Sequence, residues 1–276
     1  DPLKLIGLDC RPVPNGQLDA FYVVDLTAPD ALHKLARQHP PDRVFHLAGL
    51  LPPAPEAEMW RVNVGGTQRL LQVLGAADKK PLRILNIGSA AEYCVSSSKL
   101  KETDPCGGKT PYGRTKWAQS VIALACGRQL GLDLIIARGF NLLGPGLPPN
   151  LVAGSLCAQL AGNGAETIKV GNLHPRRDFV DVRDAVKAYW LICDRGRPGQ
   201  IYNVCSGRAT SIQTLVQLFL KFTDKRVRIE TDPTRSRRRD PDRVRGSNDK
   251  LRRLGWRPSI SLRRSVQDML NYARSR

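Results

Sequence analysis

With 276 residues, 41% of them hydrophobic and 25% charged, the chain can bury a large core and form one sheet domain plus a smaller lobe. No apolar run approaches the roughly 20 residues needed to cross a bilayer, the first residues follow no signal-peptide pattern, and a cytoplasmic protein is expected. The net charge of +18 is densest in Arg235-Ser236-Arg237-Arg238-Arg239 and Arg243-Val244-Arg245, but no aromatic residues interleave with these runs, so a solvated basic face is expected in preference to a nucleic-acid site.

Taken in chain order, residues 3–8 read as a strand ending at Asp9, and residues 21–24 as a second ending at Asp25. Residues 28–38 have a helical pattern, residues 43–47 form a strand, and Pro52-Pro53-Ala54-Pro55 is a surface loop. A helix over about residues 57–77, a strand at 84–88, a long helix at 112–130 and a strand at 132–137 follow. Beyond Asn141 the composition becomes loop-like, through Gly144-Pro145-Gly146-Leu147-Pro148-Pro149, and marks entry into a second lobe; the chain returns to the sheet over residues 183–203. Strands alternating with helices predict an α/β, doubly wound parallel sheet. The expected division is residues 1–143 plus about 180–205 in the sheet domain, and about 144–179 plus 206–276 in the smaller lobe. Seven scattered cysteines without a C-x-x-C pair favour reduced thiols over disulfides or zinc, and no metal site is expected.

The chemistry is concentrated in Tyr112-Gly113-Arg114-Thr115-Lys116, with Ser89 upstream at the end of an apolar strand. A tyrosine and a lysine four apart share one helix face, so the ammonium can lie under the phenol and favour phenolate. An unperturbed tyrosine titrates near pH ~10, too high for proton exchange at neutrality. A serine hydroxyl at a neighbouring strand end would hold a carbonyl oxygen between itself and the phenol, the arrangement that hydride transfer to a carbonyl needs.

Further segments carry a resemblance: Val44-Phe45-His46-Leu47-Ala48-Gly49, Asn63-Val64-Gly65-Gly66-Thr67 and Arg177-Asp178-Phe179-Val180-Asp181-Val182-Arg183-Asp184. Together with the tyrosine motif they resemble the extended short-chain dehydrogenase/reductases, the NAD-dependent epimerase/dehydratase family, from about Leu3 to the C-terminus. Phe140-Asn141-Leu142-Leu143-Gly144-Pro145-Gly146, Ile168-Lys169-Val170-Gly171-Asn172-Leu173, Tyr202-Asn203-Val204-Cys205-Ser206-Gly207 and Leu254-Gly255-Trp256-Arg257-Pro258 are similar to the members that reduce GDP-4-keto-6-deoxymannose to GDP-rhamnose.

The resemblance implies a Rossmann-type sheet and a catalytic set of Ser89, Tyr112 and Lys116. It implies cofactor contacts from Asp9, Arg11, Asp25, Leu26, Leu47, Ala48, Gly49 and Asn63, with Tyr112 and Lys116 shared. Sugar-nucleotide contacts are implied for Ser89, Asn141, Arg177, Arg237 and Asp240. Asp25 can equally cap the next helix, and His46 is expected to pack beside the sheet. Arg138, Asp178 and Asp184 read either as site residues or as structural ion-pair partners. NAD(P)H is the implied cofactor: Asp9 favours NAD, while Arg11 nearby could accept a 2′-phosphate. A homodimer is implied, through the helices at 57–77 and 112–130.

Three departures from the family matter. No Gly-x-x-Gly-x-x-Gly turn is present to receive the pyrophosphate; the expectation is either that the sequence is a piece of a longer chain or that it is a degenerate member with impaired cofactor binding. Where dehydratases of the family place a glutamate two residues after the catalytic hydroxyl, this chain has Ala91, and Glu92 would point elsewhere on an extended strand. Cys94 stands where glycine is usual, and in the arginine element Arg238 replaces proline and Asp240 replaces glutamate. The expected activity is reduction of a nucleotide-linked 4-keto-6-deoxy sugar; the alternatives are 4-epimerisation and non-catalytic binding of a nucleotide sugar.

Overall fold

Short apolar strands alternate with helices along nearly the whole chain in the computed structural model, which describes residues 3–12, 17–94, 99–161, 166–223, 226–235 and 241–276. Arg237 and Asp240 lie outside the described residues. In order, the elements are β1 (Ile6–Asp9), β2 (Ala20–Val23), α1 (Pro29–Gln38), β3 (Arg43–His46), α2 (Glu56–Met59), α3 (Thr67–Gly75), β4 (Arg83–Ser89), β5 (Lys99–Leu100), α4 (Pro111–Leu130) and β6 (Leu134–Gly139). There follow β7 (Asn141–Leu143), α5 (Val152–Ala161), β8 (Thr167–Val170), β9 (Arg176–Arg177), β10 (Phe179–Asp181), α6 (Val182–Arg195), β11 (Ile201–Val204) and β12 (Thr210–Ser211). The last are α7 (Ile212–Leu220), β13 (Arg228–Thr231), β14 (Arg245–Gly246), α8 (Asp249–Arg253) and α9 (Leu262–Arg274). Among the described residues no helix is long and apolar enough to cross a membrane.

Two compact units emerge. The first comprises Asp1–Tyr93, Cys106–Ala137 and Cys193–Ile201. Its strands β6, β4 and β3 lie in a sheet of order β11-β6-β4-β3. β3 and β4 are parallel with His46 opposite Asn86, so their C-terminal ends open on the same side. Leu134, Ile135, Ile136 and Ala137 of β6 are all buried, the unbroken apolar run of a strand covered on both faces. Leu70, Leu71 and Leu74 of α3 and Ala123 of α4 pack on Ile84, Leu134 and Ile136. This is the Rossmann-like arrangement expected from the sequence.

β1 and β2 pair in parallel as a separate two-stranded sheet, Ile6 opposite Ala20 and Asp9 opposite Val23. α3 links it to the rest, through Val73 packed with Val24 and Leu32. Among the described residues β1 pairs only with β2 and β3 only with β4, leaving one edge of each unpaired. Leu5, Leu8, Val23, Leu47 and Leu51 are correspondingly exposed.

The second unit comprises Cys94–Pro105, Arg138–Ile192 and Tyr202–Arg276. It is built from short ladders, β7 with β10, β8 with β13, β9 with β12 and β5 with β14. Leu156 and Leu160 of α5, Leu215 and Phe219 of α7, and Val266, Met269 and Leu270 of α9 form its core with Leu143 and Ile168.

Three expectations need correction. The helix expected over 57–77 is interrupted: Trp60–Gly66 is π-helical between α2 and α3, and the wider turns there, at a segment with two glycines, carry Asn63 inward to complete burial. The loop-like stretch after Asn141 begins with β7, whose partner β10 lies far along the chain and leaves no local signal. The return over 183–203 is mostly helix α6, and only β11 is strand.

Candidate active site

Helix α4 places the two principal side chains. Thr110 caps it by accepting a hydrogen bond from Gly113 N–H at 3.0 Å, Pro111 takes the first helical position, and Gly131 ends it in the left-handed conformation (φ 63°). Tyr112 therefore sits in the first turn and Lys116 one turn deeper. Gly113 allows this turn to press against the residues after β4: a Cβ there would lie 2.4 Å from the Ala91 carbonyl oxygen. The Ser89 hydroxyl, at the end of β4, lies beside the Tyr112 phenol and favours its ionised form. Tyr112 thus stands by Ser89, and Lys116 lies one turn deeper against the Ile87 carbonyl of β4.

Their electrostatics differ from the expectation. Burial pushes the Tyr112 phenol above its ordinary value of 10.0, Ser89 pulls it back, and the nearby Glu92 anion pushes it up again. The Lys116 ammonium donates to the Ile87 carbonyl at 2.7 Å and to Gln119 Oε1, facing the sheet in place of the phenol. Burial lowers it to about 8, with Glu92 acting in the opposite sense. The phenol is thus held protonated.

Glu92 is the second correction. The backbone after Ser89 is a 3-10 turn, Ala90–Glu92, so the alternation of an extended strand does not apply. The Glu92 side chain folds back, fully buried, and accepts the Ser89 N–H at 2.7 Å, while Ser89 Oγ accepts from Ala91 N–H at 3.2 Å. The spacing Ser89-x-x-Glu92 is the signature of a capping box, which was present in the sequence to be read.

Behind Lys116 runs a buried polar chain that sequence reading did not assemble. Gln119 Nε2 donates to Thr67 Oγ1 at 2.8 Å and to Asn86 Oδ1 at 3.2 Å, and Thr67 Oγ1 meets His46 Nε2 at 2.7 Å. His46 is packed beside the sheet, as expected, and burial lowers it from 6.5 to about 3. The folded protein therefore refuses a proton that the unfolded chain accepts between those values. Stability from neutral His46 is present above pH 6.5 and is lost as pH falls toward 3. In a pH series of denaturant unfolding, His46→Gln is expected to remove up to about 1.4 kcal/mol per pH unit of this slope.

Asn63 links the loop after β3 to α4. Its Oδ1 accepts Leu50 N–H at 2.6 Å, and its Nδ2 donates to the Leu50 carbonyl and to Thr115 Oγ1, both at 3.1 Å. Its amide is thereby engaged in holding Leu47, Ala48 and Gly49, all exposed at the mouth of β3. Asp9 ends β1 and accepts the Arg11 N–H at 3.0 Å, with Arg11 exposed. Asp25 does not cap α1, whose N-cap is Ala28; it closes the preceding turn on Thr27 N–H and Oγ1, both at 2.8 Å, beside half-buried Leu26.

In the second unit, Asn141 is exposed on β7 and donates Nδ2 to the Asp178 carbonyl at 3.0 Å. Arg177 NH1 donates to the carbonyls of Arg176 and Pro241 at 2.9 and 2.8 Å, which fixes the base of its guanidinium fork. Asp178 and Asp184 act as main-chain clasps where the structural alternative in the sequence was ion pairing. Asp178 accepts Ser206 N–H and Oγ–H, Gly207 N–H and Gly246 N–H; Asp184 accepts Ser259 N–H and Oγ–H and Ile260 N–H.

A family model described as the NAD dependent epimerase/dehydratase family matches residues 2–205. The chain belongs to this family. It is 34% identical over 264 residues to the GDP-6-deoxy-D-mannose reductase of Pseudomonas aeruginosa, covering 91% of this chain and 86% of that protein. It is 25% identical to the GDP-6-deoxy-D-talose 4-dehydrogenase of Aggregatibacter actinomycetemcomitans, covering 83% and 78%. Its fold is similar to the structure of RMD from Pseudomonas aeruginosa complexed with NADPH, with TM-score 0.85, 32% identity and coverage of 95% and 92%.

The residues present fit the ribose and nicotinamide parts of the cofactor that the epimerase/dehydratase family implies. A carboxylate at the end of β1 can accept from ribose hydroxyls, small exposed residues at the end of β3 leave clearance, and Tyr112 and Lys116 supply a phenol and a buried ammonium one turn apart on α4. The sequence contains no glycine-rich turn to supply N–H groups to a pyrophosphate.

Proposed function

We propose that this family member reduces the C4 keto group of a nucleotide-linked 4-keto-6-deoxy sugar, with GDP-4-keto-6-deoxymannose as substrate and GDP-rhamnose as product. The observation that carries the reading is Ser89 at the end of β4 facing the Tyr112 phenol in the first turn of α4. A phenol protonated at neutral pH can pass its proton to a carbonyl oxygen as negative charge develops there. NAD(P)H, when bound, supplies the hydride. Ser89 orients the carbonyl oxygen, Tyr112 O–H donates to it as negative charge develops, and Lys116 supports the phenol and holds the nicotinamide ribose. Asp9 holds the adenine ribose, with Arg11, Asp25 and Leu26 nearby, and Leu47, Ala48 and Gly49 face the cofactor along a loop kept in place by Asn63.

Asn141 and Arg177 serve as sugar-nucleotide ligands, a planar guanidinium suiting the diphosphate; Arg237 and Asp240 belong to the same proposal on sequence alone. The lack of a carboxylate at Ala91 supports reduction over dehydration. A homodimer through the exposed apolar residues Trp60, Trp117 and Val121 of the first unit accords with this reading. The test is incubation of the chain with GDP-4-keto-6-deoxymannose and NADH or NADPH. Stoichiometric oxidation of the cofactor with formation of GDP-rhamnose is expected; conversion of a nucleotide sugar into its C4 epimer without net cofactor consumption would replace the reading with an epimerase.

A further inference from the structure

We propose that Gln119 is a positioning residue of this site: its amide oxygen pins the Lys116 ammonium against β4 and leaves one N–H of that ammonium to meet a hydroxyl of the nicotinamide ribose. The ribose half of the inference rests on the reductase reading, and the pinning rests on geometry alone.

An ammonium has three donors and no acceptor. Lys116 gives one to the Ile87 carbonyl of β4 at 2.7 Å and one to Gln119 Oε1 on the next turn of α4. Among the described residues no third acceptor bonds it, although Lys116 is only 6% exposed. A free ammonium spins about its Cε–Nζ bond. Two anchors on different elements stop that rotor and give the third N–H a fixed direction, so the group is ordered before any ligand arrives.

The Gln119 amide can face only one way. It is fully buried, and its Nε2 donates to Thr67 Oγ1 at 2.8 Å and to Asn86 Oδ1 at 3.2 Å. The Thr67 hydroxyl itself donates to the Asn63 carbonyl at 2.7 Å, so toward Gln119 its oxygen is an acceptor. Turning the amide over would set Nε2 against the ammonium, donor to donor, and Oε1 against two oxygens. Thr67 on α3 and Asn86 on β4 therefore hold the acceptor end of Gln119 toward Lys116. Both N–H groups and the oxygen of the amide are engaged, which is how a polar side chain is tolerated at this depth.

The deciding experiment is NMR of the ammonium groups in protein labelled with nitrogen-15 lysine, for wild type, Gln119→Leu and Gln119→Glu, with Lys116 assigned by its loss in Lys116→Met. Both Gln119 variants lose the Nε2 donors to Thr67 and Asn86; only leucine also loses the acceptor for Lys116. The Lys116 ammonium protons are expected to exchange slowly with water in wild type and in Gln119→Glu, and about tenfold faster in Gln119→Leu. In the reductase assay the cofactor KM is expected to rise about tenfold in Gln119→Leu and to stay within about threefold of wild type in Gln119→Glu. Leucine and glutamate variants that change alike overturn the proposal, because that is what a purely structural amide would give. A Lys116 signal in Gln119→Leu that matches wild type overturns it, and so does an unchanged cofactor KM in an active Gln119→Leu. Should a variant not fold, the wild-type spectrum decides: Lys116 protons exchanging as fast as those of exposed Lys187 overturn it. The spectra need neither cofactor nor sugar. A pinned Lys116 in a chain without reductase activity thus sinks the functional reading alone, and an unpinned Lys116 in an active reductase sinks Gln119 alone.

Discussion

Tyr112→Phe is expected to lower turnover by about 10²–10⁴-fold, the usual contribution of a positioned general acid, while leaving sugar-nucleotide and cofactor binding within a few-fold of wild type. In the proposed mechanism the phenol is the more acidic donor of the Ser89–Tyr112 pair. Phenylalanine keeps the ring packed in the first turn of α4 and leaves the Thr110 cap and the Gly113–Ala91 contact unchanged. The fold should therefore survive, and the loss should appear in kcat, with KM nearly constant, the signature of an interaction made only in the transition state. Ser89 is a poor substitute, because an alcohol is a far weaker acid than a phenol. Stopped-flow measurement of cofactor oxidation over a single turnover separates the chemical step from product release. A variant keeping more than about a tenth of wild-type turnover removes Tyr112 from the proposed role.

Asp178→Ala is expected to cost about 4 kcal/mol of stability, read as a lowered denaturant midpoint for the second unit. One carboxylate receives four donors, from Ser206, Gly207 and Gly246, at 2.6 to 3.2 Å, in a fully buried setting. Alanine strands three backbone N–H groups away from water, each costing about 1–3 kcal/mol, with partial relief from relaxation or an admitted water. Asn141 hangs from the carbonyl of the same residue, so the loss should extend to its placement on β7. Because the chain has two compact units, the midpoint should be followed with probes in each; an effect below about 1 kcal/mol in the second unit would show the clasp to be dispensable.

What could be read in the sequence was what is local. Tyr112 and Lys116 were legible because helical spacing fixes their common face, and Ser89 because it closes an apolar strand. Strands β1, β2, β3, β4 and β6 were legible from apolar runs, whereas the short ladders of the second unit were not, among them β7, whose partner lies 38 residues onward. The clasps were not: Asp178 reaches residues 28, 29 and 68 positions away, and Asp184 reaches residues 75 and 76 away, and no pattern in the chain marks those pairings. Glu92 failed for a different reason. Its capping-box spacing was visible, but the strand was assumed to continue past Ser89, and a single turn of 3-10 helix reversed the direction of the side chain. Lys116 was placed on the correct face, yet its ammonium is drawn inward by a carbonyl and by Gln119, a residue three positions on whose polarity at a buried site was itself a signal.

The separate pairing of β1 with β2 places Asp9 on one ladder and the Ser89–Tyr112–Lys116 group beside another. Among the described residues they are joined by the packing of Val24, Leu32 and Val73 and by Arg61, whose guanidinium reaches Thr27 Oγ1 and the Asp25 carboxylate. A cofactor gripping both ladders would couple them into one unit.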